Sequence, residues 1–406
     1  MDASPIYLDH AATTRAVPAV CTAMQRALDA EYGNPSARHP LGSRAKELVE
    51  GARAALATAT GADRAGVVFT SGGTEANNLG VVGVALSDAF AGARRAGDEA
   101  DVLLGPTEHA SVRACGAPLV AAGLVVESLR LTPEGALDVE HAASRIGPGT
   151  RVVAQMLVNN EFGTRYDVTR LARAVEARGG PHTHLHVDAV QAFGKLPLDV
   201  TALFESRGLS GSFGLSAHKV HGPKGAGALV LARGSVTPRP LLFGGPQEGG
   251  RRPGTENVPA VVGFGAAAEL VTTELDQRFA KLVELRRVFE EAVAAQAPGC
   301  RVLVPYADPR NSSPHVLSLL VPGAPAEVWL HHLEERGVFA SAGSACQAQT
   351  KLISPGLLAL GLDAQSARRV LRFSFATSTT AEECRRAAEH LGALAGTLAG
   401  LTSAPH

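Results

Sequence analysis

The sequence predicts an α/β protein: a mostly parallel sheet with helices on both faces, followed by a smaller α+β unit. Three observations carry this reading. Short apolar, β-branched runs alternate with amphipathic stretches as far as Leu231. Residues suited to chemistry stand just past the ends of those runs, where open α/β sheets gather their functional groups. From Leu241 the texture changes to a long glycine-rich loop and then a mostly helical stretch.

In chain order, Ile6 to Leu8 reads as a short strand ending in Asp9-His10-Ala11-Ala12-Thr13-Thr14. Ala16 to Glu31 has helical spacing in Val20, Met24 and Leu28, and Gly33-Asn34-Pro35-Ser36 is a loop by residue type. Leu41 to Thr60 is a long helix with Leu48, Ala52, Ala55 and Leu56 on one face. Gly66 to Thr70 is a strand, followed by Ser71-Gly72-Gly73-Thr74-Glu75-Ala76-Asn77-Asn78 and an apolar helix from Leu79 to Leu86. Residues 87–100 are polar and alanine-rich. Strands are then expected at 101–104, 124–129, 151–157, 184–188, 209–215 and 226–231, with helices at 114–122, 139–145 and 167–178. The loop from Gly244 to Asn257 precedes a helix over Val261 to Ala295, and the domain boundary is placed there. The division is residues 16–262 for the large domain, and 1–15 with 263–406 for the small one.

At 406 residues the chain can build two sizeable cores. A hydrophobic fraction of 45% with 19% charged residues is that of a globular protein, and a net charge of -1 gives no field to attract nucleic acid or an anionic membrane. No transmembrane run or secretory signal is read from the sequence. Five scattered cysteines, none in a C-x-x-C pair, fit a reducing cytoplasm and argue against a disulfide framework or a cysteine zinc site.

Five strand ends carry polar groups: Thr74, His109, Asn160, Asp188 with Gln191, and His218 with Lys219. Taken alone, Lys219 is either a surface lysine in a hairpin loop or an amine that forms an imine with an aldehyde cofactor. The turn at Ser71 to Asn78 is either an ordinary strand-to-helix connection or a phosphate cradle built from backbone N–H groups and a positive helix end. It is neither a Walker A loop nor a dinucleotide fingerprint. His182, His184 and His186 share one face of a strand, a spacing open to metal binding or to a polar approach to Asp188. The second reading is preferred, and no metal site is assigned.

Across nearly the whole chain the motifs resemble those of the cysteine desulfurases that supply sulfur for iron–sulfur clusters, in class V of the aminotransferases. The resemblance rests on Leu8 to Thr14, Gly33 to Ser36 with His39, Thr70 to Asn78, Glu108-His109, Val158 to Glu161, His186 to Ala189 with Gln191, Ser216 to Lys219, Arg252 to Asn257 and Ser344-Ala345-Cys346. It implies an aspartate-aminotransferase-like fold (fold type I), with a mostly parallel seven-stranded sheet in the large domain, and pyridoxal 5'-phosphate as cofactor. It further implies that Lys219 bonds the cofactor and then shuttles protons, that Asp188 pairs with the ring nitrogen, that Gln191 and Asn160 contact the ring oxygen, and that His109 stacks on the ring. Gly73, Thr74, Ser216 and His218 are implied to hold the phosphate, with Thr255 reaching the partner's phosphate across a homodimer. Arg372, Asn34 and Asn160 are implied to bind the substrate, L-cysteine.

Cys346 distinguishes the activities within this family. It lies in a run of small and polar residues, Ser341 to Thr350, that has nothing to bury, so a mobile loop over about 341–352 is expected. The implied reaction converts L-cysteine to L-alanine, leaves a persulfide on Cys346, and delivers the sulfur to a scaffold or sulfur-carrier protein. A selenocysteine lyase or another class V aminotransferase would share Lys219 and Asp188 but have no use for Cys346 there. A catalytically silent sulfur carrier or scaffold is the third reading. The chain departs from the family pattern at Ala376, where a glycine is usual, and after Cys346, where serines are usual.

Overall fold

A computed structural model of the protein describes residues 4–90, 100–343, 353–398 and 400. The large sheet has seven strands, in the order Val67–Thr70, Gly227–Leu231, Ser210–Ser216, His184–Asp188, Val152–Met156, Val102–Leu104 and Val126–Ser128. Gly227–Leu231 runs antiparallel to both its neighbours, and the remaining pairs are parallel. The central strands are buried from end to end, as in a sheet covered on both faces, although His184–Asp188 and Ser210–Ser216 interleave polar or small residues with the apolar ones. Register then sets the site: Met156 lies beside Asp188, and Asp188 beside Gly214, so the strand ends form one edge.

Two helical expectations change in detail. The helix predicted from Leu79 starts earlier, at Gly73, inside the glycine turn, and widens to a π-turn over Leu79–Gly83. The helix predicted over 114–122 is two short pieces, Ala110–Arg113 and Gly116–Ala121. The first is capped by the His109 side chain, which accepts from the Ser111 amide. Asparagine, aspartate and serine are the usual cap signals, and histidine is not read as one.

A second sheet has the order Ser341–Ala342, Val370–Ser374, Val316–Leu320 and Arg301–Val302, all antiparallel. Ile6–Tyr7 pairs in parallel with Val338–Phe339, which ties the start of the chain to this unit. The 39-residue helix Val258–Gln296, capped by the Asn257 side chain, joins the two. Its first half, to Val271, packs in the core under the large sheet, and from Leu282 it packs with Ile6, Leu8, Trp329 and Phe373. We propose that the domain division falls within this helix.

This helix alone, among the described residues, has the length and apolar composition of a membrane-crossing segment, which the sequence reading did not credit to it. Half of its most apolar window is buried against protein. Arg278 and Arg286 are also buried within it, and Arg286 donates to the carbonyls of Val304 and Val316.

Candidate active site

A cavity of about 450 Å³ lies where the strand ends of the large sheet meet the second sheet. From the large sheet come Gly73, Thr74, His109, Asn160, Asp188 and Gln191. The turn Ala217–Lys219 adds His218 and Lys219, next to Ser216 at the end of its strand. Asp9, Ser341 and Arg372 close the opposite wall, with Ser341 and Arg372 paired across neighbouring strands.

Asp188 is buried at the end of its strand. Its Oδ1 accepts from the Val190 amide at 2.9 Å and its Oδ2 from Asn77 Nδ2 at 2.8 Å. Burial raises its pKa above the ordinary carboxylate value, while His109, these two donors and Lys219 pull it back down. His109 Nδ1 accepts from the Ser111 amide at 3.1 Å, so the ring carries its proton on Nε2 when neutral. Burial lowers its pKa, as Lys219 and Arg113 do, and Asp188 opposes them.

Lys219 Nζ donates to the carbonyls of Ala11 and Ala12 at 2.7 and 2.6 Å. The Lys219 carbonyl in turn accepts from Lys195 Nζ at 2.8 Å. His218 is held by Thr13 Oγ1 at 3.1 Å, and its pKa is lowered to about 4 by burial and by Lys219, Lys224 and Lys195. The Gln191 carboxamide is fixed at both ends: Nε2 donates to the Ala11 carbonyl at 3.0 Å, and Oε1 accepts from His315 Nε2 at 3.2 Å.

Ten of the residues singled out in the sequence therefore share one cavity. Asn34 does not: it is exposed, and its Oδ1 accepts from the Ser36 amide. Thr255 lines a separate cavity of about 150 Å³, beside Glu248 and Arg252. Cys346 lies outside the described residues. His184 and His186 are buried and hydrogen-bonded to Ser210, Ser212 and Asn77, and the described residues contain no group of three or more potential metal ligands. Asp9, Asn77, Ser111 and His315 were not singled out as site residues. Asn77 had a signal, a polar residue in the short helix that follows the glycine turn. Asp9 and His315 are brought in by pairings that no local pattern encodes.

The chain belongs to the class-V aminotransferase family, whose family model, Aminotransferase class-V, matches residues 6–386. It is 36% identical over 387 residues to the cysteine desulfurase of Trichormus azollae, covering 95% of this chain and 92% of that one. With the cysteine desulfurase of Bradyrhizobium diazoefficiens it shares 36% identity over 381 residues, covering 94% and 92%. The solved structure of a NifS-like protein superposes with a TM-score of 0.85 at 29% identity, covering 97% of this chain and all of that one. Within the family, the enzyme falls among the cysteine desulfurases.

Proposed function

We propose that this cysteine desulfurase binds pyridoxal 5'-phosphate in the 450 Å³ cavity and passes the sulfur of L-cysteine to Cys346. The convergence of an amine, a buried carboxylate and a capped imidazole on that cavity carries the reading. The donor set fits the cofactor. Lys219 would bond its aldehyde carbon, Asp188 would face the ring nitrogen, His109 would lie against the ring, and Gln191 and Asn160 would meet the ring oxygen. Gly73, Thr74, Ser216 and His218 supply neutral donors for a phosphate. For the substrate, Arg372 has a buried Nε with no hydrogen-bond partner, suited to a carboxylate.

The bound cofactor supplies an electron sink that weakens bonds at Cα and Cβ of the amino acid. The protein supplies the rest. Arg372 and Asn160, which line the cavity together, orient the carboxylate. Lys219 Nζ moves the proton from Cα, and His109 Nε2 holds a proton beside the departing sulfur. The Cys346 thiolate then takes that sulfur: the Cβ–S bond breaks, an S–S bond forms, and Cβ gains a proton to give alanine. The carbon is reduced as the sulfur is oxidised, so no outside electron acceptor is needed. The persulfide then meets a thiol on an acceptor protein, a scaffold or sulfur carrier.

A homodimer fits the exposed Leu242 and Phe243, at 50% and 79%, in the loop that leads to Thr255. A cytoplasmic location fits the free thiols Cys21, Cys115, Cys300 and Cys384. The test is Cys346→Ala. It should keep the cofactor absorbance and lose alanine formation from cysteine, and cysteine should add one sulfur to the Cys346 peptide of the wild type only. Full sulfide release by the variant would overturn the reading.

A further inference from the structure

Beneath the site runs a buried hydrogen-bond chain with a single direction. It begins at Asp188, whose carboxylate only accepts, so Asn77 must turn its NH₂ toward Oδ2, at 2.8 Å, and toward Ser111 Oγ, at 2.9 Å. Asn77 Oδ1 therefore accepts from His186 Nε2–H at 3.1 Å. His186 Nδ1 must then accept, and the Ser212 hydroxyl donates to it at 2.9 Å. Ser212 Oγ accepts from His184 Nε2–H at 2.8 Å, and His184 Nδ1 accepts from the Ser210 hydroxyl at 2.7 Å. Ser210 Oγ accepts in turn from the Val236 amide at 3.0 Å. Every proton along the line has one place.

The line is built into the fold. His184, His186 and Ser212 have no exposed surface, and burial keeps both rings neutral, each lowered to about 3. Two glycines on different elements leave the room. A Cβ at Gly80 would sit 2.4 Å from His186 Nδ1, and one at Gly214 would sit 2.1 Å from Asn77 Oδ1. An apolar filling of the same shape would be nearly neutral for stability, so packing alone does not call for a polar line there.

We propose that His186, backed by Ser212 and His184, is a positioning residue that locks the Asn77 amide in the orientation that holds Asp188 as a carboxylate. A reversed amide would set Asn77 Oδ1 against that carboxylate. The same lock keeps the Ser111 hydroxyl proton free to face His109 Nδ1 at 2.9 Å. The other titratable groups that act on Asp188 are His109 and Lys219, and Glu108 is buried close by. The inference rests on the proposed cofactor site.

The test uses the holoenzyme of wild type, His186→Phe, His186→Gln and Ser212→Ala. Its readouts are the pyridoxal phosphate Kd and the pH profile of the bound cofactor's visible absorbance. In His186→Phe the Kd should rise about tenfold and the low-pH limb of the absorbance profile should move up by about one pH unit, the scale of one buried donor lost to an anion. The glutamine N–H reaches for the same acceptor, so His186→Gln should recover most of both. Ser212→Ala frees His186 to flip its tautomer and should shift both in the same direction by less. If His186→Phe does not fold, Ser212→Ala alone decides. Unchanged Kd and profile in the folded variants would overturn the inference while leaving the cofactor site standing. A wild type that takes up no pyridoxal phosphate would overturn both.

Discussion

Asp9 Oδ1 lies 2.7 Å from Nη2 of Arg372, whose side chain is only 4% exposed. Nη1 of the same guanidinium donates to the Asn160 carbonyl at 3.1 Å, and Nε is buried without a hydrogen-bond partner. The aspartate thus keeps a buried cation paired when no substrate is present, and Nε is left for an incoming carboxylate. Arg372→Lys keeps the charge and loses the planar fork, so the KM for cysteine should rise by about tenfold to a hundredfold, with kcat changing less. Asp9→Asn leaves the guanidinium buried without its counter-ion and should lose about 3 kcal/mol of stability without raising KM. Alanine formation and denaturant unfolding measure the two. A KM rise in Asp9→Asn as large as in Arg372→Lys would place Asp9 in the substrate contact and sink this division of roles.

The large sheet was legible in the sequence because its short β-rich runs lie between turns and alternate with helical stretches, and the functional groups were legible because they lie at or just beyond the ends of those runs. Asp188 closes its strand, Lys219 closes the turn that follows Ser216, and His109 stands in the loop beyond Leu104, so local pattern and site coincide. The groups that hold them in place were less legible. Asp9 pairs with Arg372 across 363 positions and His315 meets Gln191 across 124, distances over which a pattern carries no information. His184 and His186 were visible as a run, and their partners were not, because Ser210 and Ser212 reach them only through strand register. Gly80 and Gly214 read as ordinary glycines until the side chains filling the space beside them are known.

Lys195 is buried behind Lys219, and burial, with Lys219 and Arg278 adding to it, lowers its pKa from 10.5 to about 7. The sign follows from proton counting. Between these two values the unfolded chain holds a proton that the folded chain has released, so this group makes stability rise with pH from about 7 to about 10.5 and adds no slope below. Its share is at most about 1.4 kcal/mol per pH unit. Lys195→Met removes the titration and leaves the Lys219 carbonyl without the donor it has at 2.8 Å. The stability of wild type relative to the variant should therefore grow with pH. Urea unfolding at about pH 7 and about pH 9 measures it, and parallel pH dependences for the two proteins would contradict the assignment.

Arg53 and Glu248 tie the glycine-rich loop to the edge of the large sheet. The pair is bidentate, 2.8 Å in both contacts, and the Glu248 side chain is 1% exposed. Glu248 Oε2 also accepts from the Phe69 amide at 2.9 Å, and Arg53 Nη1 donates to the Val67 carbonyl at 2.7 Å. The guanidinium carbon sits 4.9 Å from the centre of the Phe69 ring. These contacts hold Glu248 in the left-handed region, φ 51°, which a glutamate adopts only when its surroundings compel it. Arg53→Ala leaves the carboxylate buried without its cation and should lose about 3–5 kcal/mol. Glu248→Gln keeps the shape and can still accept from Phe69, so it should lose less. Because the same loop leads to Thr255, Arg53→Ala should also weaken the proposed homodimer, seen by sedimentation as dissociation at a higher protein concentration than for the wild type. An Arg53→Ala protein that unfolds within about 1 kcal/mol of the wild type would show that the loop is held by other contacts.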